Sequence, residues 1–207
     1  MPIIPREIQK ALVDFFGIYE LAEEIYKKAQ HVLGEIGVDN EFRYCARNLV
    51  DFLKIANLQQ PDSGALLEAI YRATHAAKNA VNDSVDLSLD HASKRLKELH
   101  AIDKEKELSY YVHNLENIVD AIGMLEEKIA RSRRDLAPRI EIYRQIYDSA
   151  EFKTVLGFAH PNNVASIRER IAIDQYHMVK DQRKFWLTIV IGILGIVGFS
   201  NLAKLLG

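Results

Sequence analysis

The sequence is poor in the residues that build disulfide scaffolds, turns and sheets: of 207 residues one is cysteine, five are proline and ten are glycine. The single Cys45 excludes an intramolecular disulfide framework and a cysteine-rich zinc site. It agrees with a reducing compartment, where its expected role is that of a small buried hydrophobe. Charge of one sign is also lacking, since 27 basic residues stand against 29 acidic ones for a formal net charge of -2. No whole-protein field therefore draws in nucleic acid, and only local patches remain for such a role. The start, Met-Pro-Ile-Ile-Pro-Arg, has neither the basic residues nor the apolar run of a secretory signal, so nothing is expected to send the N-terminal part outward. Alternating strand patterns, repeats and low-complexity tracts are missing as well.

What is present is helical periodicity. Apolar residues recur every three or four positions from Ile8 to Leu33, from Phe42 to Leu53, from Leu66 to Leu99, from Leu108 to Ile129 and from Ile142 to Leu156. Pro5 suits a first helical position, Gly34 and Gly37 an end, Asp39 a cap for the second helix, and Pro61 to Gly64 a turn. In the long third segment Asn82-Asp83-Ser84 marks the expected place for a kink, because these side chains compete for backbone hydrogen bonds. The fourth helix is expected from about Lys104, a fifth after Pro138, and a loop over 157–163, where His160-Pro161-Asn162-Asn163 gathers turn-forming residues. The expected fold is an all-α bundle of about five to six helices, the last continuing into a C-terminal transmembrane helix. One domain, 1–184, precedes an anchor, 185–207.

The anchor is the most specific feature. Phe185 to Ala203 is a run of 19 residues without a charge, ~28 Å as a helix and close to the hydrocarbon thickness of a bilayer. Trp186 stands at its edge. Lys180, Arg183 and Lys184 precede it and Lys204 alone follows, which by the positive-inside tendency keeps the N-terminal domain cytoplasmic. Within the run Gly192, Gly195 and Gly198 recur every third residue, a small-residue strip that permits close helix approach and suggests a homo-oligomer, although glycine is frequent in membrane helices generally.

Chemistry-bearing motifs are sparse. The seven histidines include no His-Glu-x-x-His pair, and neither a glycine-rich phosphate loop nor a nucleophile elbow occurs, so no metal and no cofactor is expected. Two stretches place an arginine a few residues before a histidine: Arg95 to His100 and Arg170 to His177. Arg170, Asp174 and His177 are spaced by four and three and share a helix face, suited either to a phosphate-binding acid–base set or to an ion-pair row. Arg95 and His100, five apart, fall on different faces. Arg131, Arg133 and Arg134, followed by Arg139 and Arg144, form the most basic stretch, fit to touch RNA phosphate or anionic lipid, or simply to close a helix end.

The two Arg-x(4 to 6)-His stretches resemble the motif of HEPN-type helical ribonucleases, with Leu96 and Ile171 standing where that family usually has a polar residue. The resemblance implies an all-helical domain in which arginine and histidine assist transfer of the RNA 2'-oxygen. In architecture the chain resembles HEPN-like domains joined to membrane spans among CRISPR-accessory and other anti-phage effectors. Three functions follow as expectations: a membrane effector or adaptor that self-associates and perturbs the bilayer, a membrane-tethered ribonuclease, and a passive tether for a partner protein. The first is preferred, with membrane lipid and a second copy of the chain as principal partners.

Overall fold

The longest apolar periodicity builds the spine of the molecule. In a computed structural model, backbone is described for residues 5–33, 38–58, 60–102, 108–134 and 139–206, and side chains for 5–30, 38–58, 60–102, 108–133 and 139–191. Among these residues the chain forms seven α-helices and no strand: α1 Arg6–Leu33, α2 Asp39–Ala56, α3 Ser63–Ile102, α4 Leu115–Arg134, α5 Arg139–Asp148, α6 Ala150–Ala159 and α7 Pro161–Leu206. The all-α class stands, with more helices than expected. Gly34, Gly37 and Pro138, expected to punctuate the chain, lie outside the described residues.

Helix α3, 40 residues and so ~60 Å long, passes through two apolar clusters. Its first half is faced with alanine: Ala69, Ala73, Ala76, Ala77 and Ala80 are all buried. Such short side chains let two neighbours approach closely. Helix α1 lies along this face through Ile8, Phe15 and Ala22, and α2 through Cys45, whose thiol donates to the Ala73 carbonyl at 3.4 Å. Over its second half α3 presents larger groups, Val81, Val85, Leu89 and Leu99, to α4, α5 and α6. Tyr143 of α5 and Phe152 of α6 fill this cluster and are among the largest fully buried side chains.

Five local expectations are corrected. Helix α3 runs unbroken through Asn82-Asp83-Ser84, because Ser84 Oγ donates to the Ala80 carbonyl at 2.7 Å and Ser88 Oγ to Ser84 at 2.6 Å, both bonds running back along the helix itself. The conflict read from the sequence survives as local cost: Asn82 Oδ1 is buried with no hydrogen-bond partner. Asp83 likewise has its pKa raised by desolvation and by the nearby carboxylates of Glu41 and Asp86. Asp39 is the first residue of α2 and not its cap; its carboxylate accepts from the Tyr26 hydroxyl of α1. The fourth helix begins at Leu115, preceded by a single 3-10 turn over Leu108–Tyr110 and by Asn114 at φ 59°, a left-handed conformation that asparagine tolerates. Leu108 and Val112 are buried all the same, so the apolar spacing reported burial there and not helix.

The fifth segment divides at Ser149, which caps α6 by accepting from the Phe152 amide at 3.2 Å. The loop expected over 157–163 shrinks to His160 alone. His160 Nδ1 accepts from the Asn162 amide at 3.3 Å, Asn163 Nδ2 donates to the Gly157 carbonyl at 2.6 Å, and Pro161 opens α7 without an amide to satisfy. Helix ends that carry their own caps need no longer connection.

Helix α7 packs on the bundle only at its beginning, where Val164, Ile167 and Ile171 are buried. Arg168 pairs with Glu98 at 2.8 Å and Gln175 donates to the Ile102 carbonyl at 3.0 Å, so α7 runs alongside the end of α3 in the same direction. Beyond Gln175 it continues as helix, and among the described residues no helix is long and apolar enough to cross a membrane. The side chains of 192–207, which hold the larger part of the expected span and its Gly192, Gly195 and Gly198, lie outside the described residues.

Candidate functional site

The two arginine–histidine stretches are built into helices that use them differently. On α3, Arg95 Nε donates to His91 Nε2 at 2.8 Å, one helical turn back. Desolvation, and then the Arg95 charge, push the His91 pKa down, so the imidazole is held neutral as an acceptor. His100 lies elsewhere, on the wall of a mostly apolar groove of about 470 Å³ with Leu96, Leu108, Leu115 and Val119. Arg95 is thus engaged with a histidine that the motif did not single out.

On α7, Arg170 Nη2 donates to the main-chain carbonyl of Tyr111 at 2.6 Å, tying α7 to the connection between α3 and α4. Asp174 is half-buried, while His177 is exposed with its ring edge-on to Tyr176 at 5.8 Å between centroids. A cavity of about 300 Å³ beside Arg170 is lined instead by His113, Asn163 and Ser166. His113 escaped sequence reasoning because it lies 57 positions from Arg170 and on no common helix. Only the tertiary fold joins them.

Two arginines of the basic stretch, Arg131 and Arg133, are committed to ion pairs. Arg131 Nη2 meets Glu127 at 2.5 Å on the surface of α4. Arg133 Nη2 meets Asp86 Oδ2 at 2.6 Å, and the buried Tyr143 hydroxyl donates to the same carboxylate at 3.1 Å. Burial, with the Asp86 charge beside it, pushes the Tyr143 pKa to about 12, and the Asp86 hydrogen bond raises that of Arg133. This cluster locks α3, α4 and α5 together. Arg139 reaches the Arg133 carbonyl at 3.4 Å, and the side chain of Arg134 lies outside the described residues.

Near the expected membrane boundary, Lys180 Nζ stands 6.0 Å from the Tyr176 ring centroid and Lys184 pairs with Asp181 at 3.9 Å. Phe185 and Trp186 are both more than 60% exposed. Among the described residues no group of three or more histidine, cysteine, aspartate or glutamate side chains is placed to hold a metal. No protein-family model, curated protein sequence or solved structure matches the chain.

Proposed function

We propose that the chain is a membrane-anchored helical effector or adaptor that self-associates, its cytoplasmic bundle gathering C-terminal spans within the bilayer. The observation that carries this reading is the course of α7. After Gln175 it leaves the bundle as continuous helix and bears Phe185, Trp186, Leu187, Val190 and Ile191, each at least half exposed. In water such a series of large apolar side chains with nothing packed on it is unfavourable by roughly 25 cal/mol per Å² of apolar surface left wet. In hydrocarbon the same side chains are solvated and the helix satisfies its own backbone. The uncharged run from Phe185 to Ala203 supplies the length.

Phe185 follows Gln175 by ten positions, ~15 Å of helix. That interval carries Lys180, Arg183 and Lys184, which suits it to the headgroup layer of an anionic leaflet. The bundle then stands off the membrane on a short charged stalk. Clustering of the spans is the step by which such a protein perturbs the bilayer, in keeping with the anti-phage effectors it resembles in architecture.

Membrane potential and RNA integrity, measured in the same cells after expression of the full chain and of a chain ending after Arg183, test the reading. Depolarisation that needs the tail, with RNA intact, is expected. RNA loss that persists without the tail would favour a HEPN-type nuclease instead.

A further inference from the structure

The bundle carries a groove of about 480 Å³ between α1, α3 and α5, far from the α7 stalk. Four charged side chains line it: Asp14 from α1, Lys78 from α3, and Glu141 and Arg144 from α5. None of the four makes a hydrogen bond or ion pair with another described residue. Some exposed charges elsewhere are paired along their own helix, as in Glu23–Lys27, Glu68–Arg72, Asp90–Lys94 and Glu127–Arg131; what distinguishes the groove is that two acids and two bases from three helices line one concave surface.

Gly17 stands on the same wall. It sits in mid-helix, where glycine costs roughly 1 kcal/mol relative to alanine, and a Cβ built there would meet nothing within 4 Å. Packing within one chain gives no reason for it. Of the apolar side chains lining the groove, Val13 and Tyr71 are 70% and 61% exposed. An open wall, apolar side chains and unpaired charges of both signs together describe one half of an interface.

We infer that this groove binds a second copy of the chain, in a two-fold arrangement that sets Lys78 and Arg144 of each copy against Asp14 and Glu141 of the other. Charge complementarity selects the occupant: two acids and two bases make the surface neutral as a whole and complementary to itself, which a contact between identical patches requires. The inference rests on the self-association in the reading above and gives it a location. Lys78 precedes Ile102 by 24 residues of α3, ~36 Å, so this contact is separate from any packing of glycines within the bilayer.

The test uses the full chain in detergent, sized by light scattering, with flotation on phosphatidylcholine–phosphatidylglycerol vesicles measured in parallel. Lys78→Glu/Arg144→Glu gives an all-acidic groove and Asp14→Lys/Glu141→Lys an all-basic one. Each alone is expected to weaken dimerisation at least tenfold, and mixing the two is expected to restore a dimer containing one copy of each. Gly17→Leu, which fills the wall, is expected to weaken dimerisation while leaving thermal stability unchanged or higher. A dimer indifferent to the charge reversals, a mixture that fails to re-form one, or a wild-type monomer would overturn the inference. Dimers obeying the swap without flotation would support the groove and overturn the anchor; flotation of a strict monomer would do the reverse.

Discussion

The guanidinium of Arg170 donates a 2.6 Å hydrogen bond to the carbonyl of Tyr111, two residues ahead of His113 and three ahead of Asn114 in the turn that leads into α4. An arginine that the motif made a phosphate ligand thereby serves as a brace between α7 and the α3–α4 connection. Its replacement tests a mechanical role. Arg170→Ala should lower stability by about 1–2 kcal/mol, the range for a partly buried bond from a charged donor, whereas His177→Ala, at an exposed position, should change it by less than about 0.5 kcal/mol. Urea unfolding of the two variants checks this. Equal effects, or RNA cleavage by the wild type lost in both with folding preserved, would contradict it.

A second prediction concerns Asp86, which serves Arg133 and Tyr143 together. Asp86→Ala should cost about 2–3 kcal/mol, because it leaves a buried hydroxyl and a guanidinium without their acceptor. Tyr143→Phe should cost about 1 kcal/mol. A double-mutant cycle is expected to return a coupling well above experimental error; additive losses would show that the three groups do not act as a unit.

Asp83 yields a dependence on pH. Its pKa is raised in the folded chain, so its contribution favours folding at low pH, below the ordinary aspartate value, and is lost as pH rises through the folded value. At neutral pH the ionised carboxylate therefore works against the fold. Asp83→Asn should raise the melting temperature at pH 7, and the gain should vanish by about pH 3, below the ordinary range of the group. A gain that is constant across that interval would assign the effect to helix propensity or packing and not to charge. Asn82→Ala, which removes the orphaned Oδ1, should stabilise by about 1 kcal/mol at both pH values.

Cys45 is fully buried, and burial pushes its thiol to about 11. Little thiolate exists at pH 8. Reaction with a disulfide reagent should be slow in the native protein and fast in urea, its native rate reporting opening of the α1–α2–α3 end of the bundle. Rapid native labelling would mean that α2 opens readily.

Much of the helical order was legible because the apolar spacing on α1, α3 and α4 is itself the pattern of burial: Ile8, Phe15, Ile70, Val81 and Leu125 all lie inside. Boundaries were harder to read. Ser84 and His160 belong to residue types that both break and cap helices, and only the tertiary setting decides whether Ser84 bonds back to Ala80 or whether His160 supports the start of α7. Of the candidate site residues, Arg170 and Arg133 could be located on helices but not assigned partners, since Tyr111 and Asp86 come from distant parts of the chain. The groove left no mark beyond Gly17 within an otherwise regular helical stripe, because its four charges are dispersed from Asp14 to Arg144.

Within the uncharged run, Gly195→Leu should weaken association of the full chain in nanodiscs by preventing close helix approach. Unchanged mass distributions would place self-association in the N-terminal bundle alone.

The measurement closest to the central claim is fractionation of cells expressing the full chain or a chain ending after Arg183, with membranes washed in high salt. The full chain should remain in the washed membrane pellet and the shortened one should move entirely to the supernatant, because the proposed span would supply nearly all of the bilayer affinity. A shortened chain that still sediments with salt-washed membranes, or a full chain released by the wash, would contradict the account.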